Sequence, residues 1–177
     1  MKRLLPLAFV CLALGAAIAA PMAGAKSSKS SSRVSVADEQ YLKTALAGDL
    51  FEINGGQLAL AKSNDPAVIR LANRLIADHR KSFIDDAKIA RKLGVEIPKS
   101  PMPSMVWDLR MVASLRGKAF NHWYSSLEVY DHLQDIQEAT DEVEDGTNSK
   151  VRDSARTELP TLRVHLALAR GALRANP

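Results

Sequence analysis

From residue 38 onward, apolar positions recur every three or four residues, and no segment sustains the alternation of a strand. Such a pattern predicts amphipathic helices. The first long helix is expected over residues 38–62, with Leu42, Leu46, Leu50, Ile53 and Leu60 on its apolar side. Gly55 and Gly56 interrupt it. A mid-helix glycine costs about 1 kcal/mol relative to alanine, and close packing of a neighbouring helix explains the pair better than a local bend beside Glu52. Asp65 caps a second helix over 66–93, which Pro66 begins and Gly94 ends; each residue suits that position. Val68, Ala72, Leu75, His79, Phe83, Ala87 and Ala90 form its stripe, so His79 falls on the face to be buried.

Pro98, Pro101 and Pro103 make the next stretch a non-helical connection. A short helix is expected over 105–115, capped by Ser104, and Gly117 separates it from a third long helix over 118–144. A turn at 145–148 leads to a fourth long helix over 149–174. Pro160 lies inside that helix and frees a carbonyl near Arg156. Two of the three connections between long helices are short, which makes antiparallel neighbours. The expected fold is all-α: an antiparallel four-helix bundle with a short extra helix in the connection between the second and third long helices. That longer connection is a crossover or a lid.

The first residues read differently. Lys2 and Arg3 precede an apolar run over residues 4–20, and Ala23, Gly24 and Ala25 offer small side chains for cleavage. This is the pattern of an export signal over residues 1–25. The run is short for a membrane span of roughly 20 residues, although a retained N-terminal anchor is the alternative. Residues 26–35, rich in serine and lysine, are expected to be a disordered linker, and residues 36–177 the bundle domain. The chain's one cysteine, Cys11, lies inside the signal behind a poor lipoprotein site. The mature chain therefore has no disulfide, thiolate ligand or cysteine nucleophile. Losing Lys2 and Arg3 also lowers the formal charge by two from +4. The remaining acids and bases are interspersed, which argues against a nucleic-acid partner. The expected location is periplasmic or secreted.

Candidate chemistry resides in His79, His132 and His165, each near the middle of a different expected helix, and in Glu52 on the fourth. At about 1.5 Å per residue, distance from a turn becomes height. Glu52 stands about 12 residues before the Asn64 turn and His79 about 13 after Pro66. His132 stands about 14 residues before Gly146 and His165 about 16 after Ser149. All four belong at similar depth. His132 shares a stripe with Val129, Ile136, Ala139 and Val143, and His165 lies with Leu162, Leu166 and Ala169. Glu52 is on the edge of its helix's leucine side. Imidazole and carboxylate together suit one transition-metal ion such as zinc, copper or iron. The competing reading is a structural polar core, with Glu52, Asp49, Asp78, Glu128 and Asp131 as hydrogen-bond partners. His122 sits on a polar face with Lys118, Ser125 and Ser126 and reads as solvated; Asp78 reads as a surface or capping partner. Phe120, Trp123 and Tyr124 read as core, with a stacking pocket for an organic ligand as the alternative.

These residues also carry a resemblance. The stretch around Asp49 to Gly56 with Glu52, the pair Asp78 and His79, then Phe120, Tyr124 and His132, and the run Leu159, Pro160, Thr161, Leu162, Arg163, Val164, His165 follow one another in order. Over residues 36–172 the chain resembles the bacterial exported family known as domain of unknown function 4142. The resemblance implies a ferritin-like bundle in a secreted or envelope protein, with no established activity. Asn121 departs from the family pattern, where aspartate is common. Di-iron bundles use Glu-x-x-His motifs. Here Ile76 and Leu162 stand three before His79 and His165, and Glu128 is four before His132. A ferritin-type di-iron site is therefore not expected.

The resulting expectation is an exported bundle that binds one metal ion at Glu52, His79, His132 and His165. The alternative is a metal-free structural or interaction module with an envelope protein as partner. No nucleophile or acid–base pair specifically supports catalysis.

Overall fold

The computed structural model describes residues 34–177. The expected export segment and most of the linker lie outside the described residues. Helix α1 spans Val36–Lys62, α2 Pro66–Leu93, α3 Pro103–Ala113, α4 Gly117–Asp145 and α5 Ser149–Ala175. Among the described residues there is no strand, and no helix is long and apolar enough to cross a membrane.

Local chemistry accounts for most helix ends. Ser35 caps α1 in a reciprocal box with Asp38. Asp65 caps α2 by accepting from Ala67 and Val68, and Gly94 ends it at φ 73°. The short helix α3 begins with Pro103 as its first residue and Met102 at the cap, without a side-chain cap. It therefore starts earlier than Ser104 would dictate, because proline's fixed φ suits a first helical residue. Gly117, at φ 57°, turns the chain into α4. Helix α5 runs on past Pro160 to Ala175.

The helices α1 and α2 form one hairpin, and α4 and α5 the other. Helix α2 also packs on α5 and α1 on α4, while α3 lies against α1 and α4. Asp38, at the start of α1, accepts from Thr147 N at 2.8 Å, Thr147 Oγ1 at 2.6 Å and Asn148 N at 3.2 Å. The start of α1 thus meets the end of α4, so adjacent helices are antiparallel all round. The connection carrying α3 is a crossover from one end of the bundle to the other. One long crossover is the ferritin-like way of closing a four-helix bundle.

Two apolar regions flank the middle. Leu42, Leu46, Ala87, Ala90, Val95 and Val151 pack at one end. Val68, Leu71, Leu75, Val112, Phe120, Tyr124, Ala169 and Ala172 belong to the other. The inward side of α1 departs from the leucine stripe. Leu60 is 40% exposed, whereas Glu52, Gly55, Gly56 and Ala59 are buried. Apolar residues occur all round α1, so periodicity could not select its inner face. Glycine did: a Cβ on Gly56 would come within 2.7 Å of Ile76 Cγ1 and 3.0 Å of the Ala72 carbonyl oxygen. Close helix packing is therefore what the pair provides, and it turns Glu52 fully inward.

Candidate metal centre

Three imidazoles meet between the two apolar regions. His79 comes from α2, His132 from α4 and His165 from α5, and all are buried. Their ring centroids are 5.1 Å apart for His79 and His165, 5.2 Å for His132 and His165, and 6.0 Å for His79 and His132. Three imidazoles sharing one tetrahedral ion through nitrogen at ~2.0–2.1 Å would have centroids about 5 Å apart. One nitrogen from each ring already lies within 4.8 Å of one from each other ring.

Each ring uses one nitrogen for a fixed partner. His79 Nδ1 is 2.8 Å from Asp49 Oδ1, His132 Nδ1 is 2.8 Å from the Glu128 carbonyl oxygen, and His165 Nε2 is 2.8 Å from Asp78 Oδ2. With each of those nitrogens donating, the opposite ones hold lone pairs. These are His79 Nε2, His132 Nε2 and His165 Nδ1, and all three are buried without a partner. A carboxylate or carbonyl that orients an imidazole while its other nitrogen stays free is the usual outer arrangement of metal-bound histidine.

Electrostatics keep the rings neutral. Burial lowers His79 to about 4, His132 to about 3 and His165 to about 4. The rings also disfavour one another's protonation at His132 and His165. Burial, then neighbouring Asp86, pushes Asp49 well above the usual carboxylate range. Asp78 lies below its ordinary value: burial opposes this, but hydrogen bonds from Arg74 and His165 prevail. Neutral imidazole is the form that ligates a metal.

Glu52 belongs to a neighbouring group. Its Oε1 is 3.8 Å from His132 Nδ1, and Glu128 Oε2 is 3.9 Å from the same nitrogen. The structure thus places the four expected residues in two groups that share His132: the three histidines, and Glu52 with Glu128 and His132. The nitrogen of His132 that Glu52 approaches is the anchored one. Glu128 and Asp131, also buried, line the same region.

A cavity of ≈ 240 Å³ reaches His79 and His165. Asp49, Asp78, Asp85, Asp135, Glu138 and Glu158 line it, with Lys81 as the one lysine or arginine in its wall. Acidic walls of low dielectric concentrate cations.

Asp78, one of the expected hydrogen-bond partners, orients His165 from the neighbouring helix. Other residues differ from their sequence reading. His122 is half-buried and binds the Asn176 carbonyl oxygen through Nδ1 at 2.9 Å, so it tethers the C-terminus instead of being solvated. Trp123 is 57% exposed, while Phe120 and Tyr124 are fully buried and stacked. Aromatics at consecutive helix positions point about 100° apart, so all three could not share the core. Asp86, Asp135 and Glu158 were not singled out by the sequence at all; burial raises each.

Fold and centre define a ferritin-like helical bundle with a histidine–carboxylate layer across its middle. The chain belongs to the family described as a domain of unknown function (DUF4142), whose model matches residues 23–171. Among solved structures it is similar to a DUF305 fragment from Deinococcus radiodurans, with a TM-score of 0.71 and 13% identity. That similarity covers 80% of this chain and 98% of the other, and it speaks to fold alone. No curated protein matches the chain.

Proposed function

We propose that this protein binds one transition-metal ion through His79 Nε2, His132 Nε2 and His165 Nδ1. The observation that carries the reading is the set of three buried, unpartnered nitrogens, each opposite an anchored one. A buried polar atom without a partner costs about 1–3 kcal/mol, and one ion would satisfy all three. Neutral imidazole donors suit zinc, copper or iron. Cations would arrive through the acid-lined cavity, and sequestration of the ion is the use this arrangement best serves.

Metal analysis of untagged protein purified without chelator tests the reading. Near-stoichiometric zinc, copper or iron is expected, lost in His132→Ala. A metal-free protein that shows no thermal shift with any of the three would refute it.

A second reading, a metal-free interaction module, has its own support. Trp107 and Met111 on α3, and Trp123, Tyr130 and Leu133 on α4, are exposed on adjacent helices. The same metal analysis separates the two readings.

The proposed compartment is the periplasm or exterior, supported by Lys2, Arg3, the apolar run over residues 4–20 and the small residues at 23–25. Mass spectrometry of the protein from its native host should find a mature chain that starts near Lys26. An intact Met1 would count against export by cleavage.

A further inference from the structure

The carboxylates beside His132 have no role in the tri-histidine centre. Glu52 and Glu128 are both fully buried, and none of their four carboxylate oxygens has a hydrogen-bond partner. The Tyr124 hydroxyl, also fully buried and unpartnered, faces both of them. Asp131 stands next to Glu52 with its Oδ2 unpartnered. No lysine or arginine is buried among the described residues to balance this charge.

Gly55 leaves room at the same place. A Cβ there would lie 3.5 Å from Glu128 Oε1 and 3.7 Å from Tyr124 Cε2, with Leu109 of α3 at 3.3 Å. The crossover helix thus covers the group on one side, and glycine keeps α1 from filling it.

We propose that Glu52 and Glu128, with Asp131 beside them, bind a second divalent cation of the oxygen-preferring kind, next to the tri-histidine ion. Buried charges in proteins are paired or coordinate metals. A single shared proton would join only two of the four oxygens; a cation can draw on the rest. Carboxylate oxygens suit magnesium, calcium and manganese(II). The His132 ring divides the sites. Its Nδ1–H is committed to the Glu128 carbonyl oxygen, and its Nε2 is buried without a partner. The proposal rests on the earlier reading only for that division. The result is a histidine-rich site and a carboxylate-rich site side by side, without the Glu-x-x-His spacing of di-iron bundles.

Cobalt(II) titration of the purified, metal-free protein, followed by visible absorption and bound-metal analysis, tests this. The unmodified protein should bind two equivalents. Glu128→Gln and Glu52→Gln should each bind one, with the histidine-site absorption kept. His165→Ala should lose that absorption and retain an equivalent at the carboxylates. A protein that takes up one equivalent, unaffected by either glutamine substitution and abolished by His165→Ala, overturns the second site and leaves the tri-histidine reading standing. Two equivalents with an unchanged spectrum in His165→Ala would overturn the tri-histidine reading instead. The count in the unmodified protein decides the matter even if a glutamine variant fails to fold.

Discussion

Asp78 Oδ2 lies 2.8 Å from His165 Nε2 and also pairs with Arg74, one turn earlier on α2. The carboxylate therefore fixes which nitrogen of a histidine on α5 carries the proton, and so which one is free. Replacing it with asparagine keeps the shape and removes the charge. Asp78→Asn is expected to weaken zinc binding about 10- to 100-fold, as loss of an orienting partner does, with unchanged helix content. A competition titration measures this; an unaltered Kd would make Asp78 a surface partner of Arg74 and nothing more.

Gly56 and Gly48 should respond in opposite directions to alanine. At Gly56 the new Cβ meets the Ile76 side chain and the Ala72 backbone, neither of which can withdraw freely. Overpacking there should cost about 1–3 kcal/mol. At Gly48 nothing lies within 4 Å of the added Cβ. That substitution should stabilise by about 0.5–1 kcal/mol through helix propensity. Urea unfolding of the two variants compares them directly.

Asp38 joins the start of α1 to the α4–α5 turn, and its carboxyl is held well below the usual range. Burial opposes this, but hydrogen bonds from Ser35, Thr147 and Asn148 outweigh it. A depressed carboxyl stabilises the fold above its unfolded value of 3.8, and the benefit disappears as pH falls below that. Asp38→Asn should therefore be less stable than the parent near pH 7, by about 1–2 kcal/mol. The gap should narrow in acid. Melting curves at pH 7 and pH 3 test the sign; an equal gap at both would mean the charge is not what matters.

The metal-free protein should show two opposing pH dependences that overlap between about pH 4.5 and 6.5. Burial lowers the three histidines, so their folded forms bind fewer protons than the unfolded chain, and stability falls as pH drops from about 6.5 toward 4. Burial raises Glu128 from 4.5 to about 8, so its folded form binds more, and stability falls as pH rises through that range. Glu128→Gln should lessen the alkaline slope, to which the other raised carboxyls also contribute, and leave the acid side in place. Thermal melts of chelator-treated protein across pH 4–9 would expose a contrary result as an unchanged alkaline slope.

Much of this molecule was legible in the amino-acid order. Helix existence followed from three-to-four-residue periodicity, and ends followed where a local signal was strong, as with Asp65, Pro66 and Gly94. The shared depth of His79, His132 and His165 followed from counting residues between turns, because helical rise is uniform. Rotation about a helix axis was the weak point. Where apolar residues sit on every side, as in α1, only contact with neighbours selects the inner face; hence Glu52 turned inward and Leu60 did not.

What the tertiary structure alone decided is which atom faces which. Asp78 reaches His165 from 87 positions away, and Asp49 reaches His79 across the α1–α2 hairpin. Glu52 and Glu128 come together from α1 and α4. Such pairings depend on how far helices approach and how they are rotated when packed, quantities set by every residue in the interface at once. Sequence alone determined that three of the four long rods would carry a histidine at the middle and the other Glu52; packing determined that the three rings would gather, and that Glu52 and Glu128 would meet beside one of them.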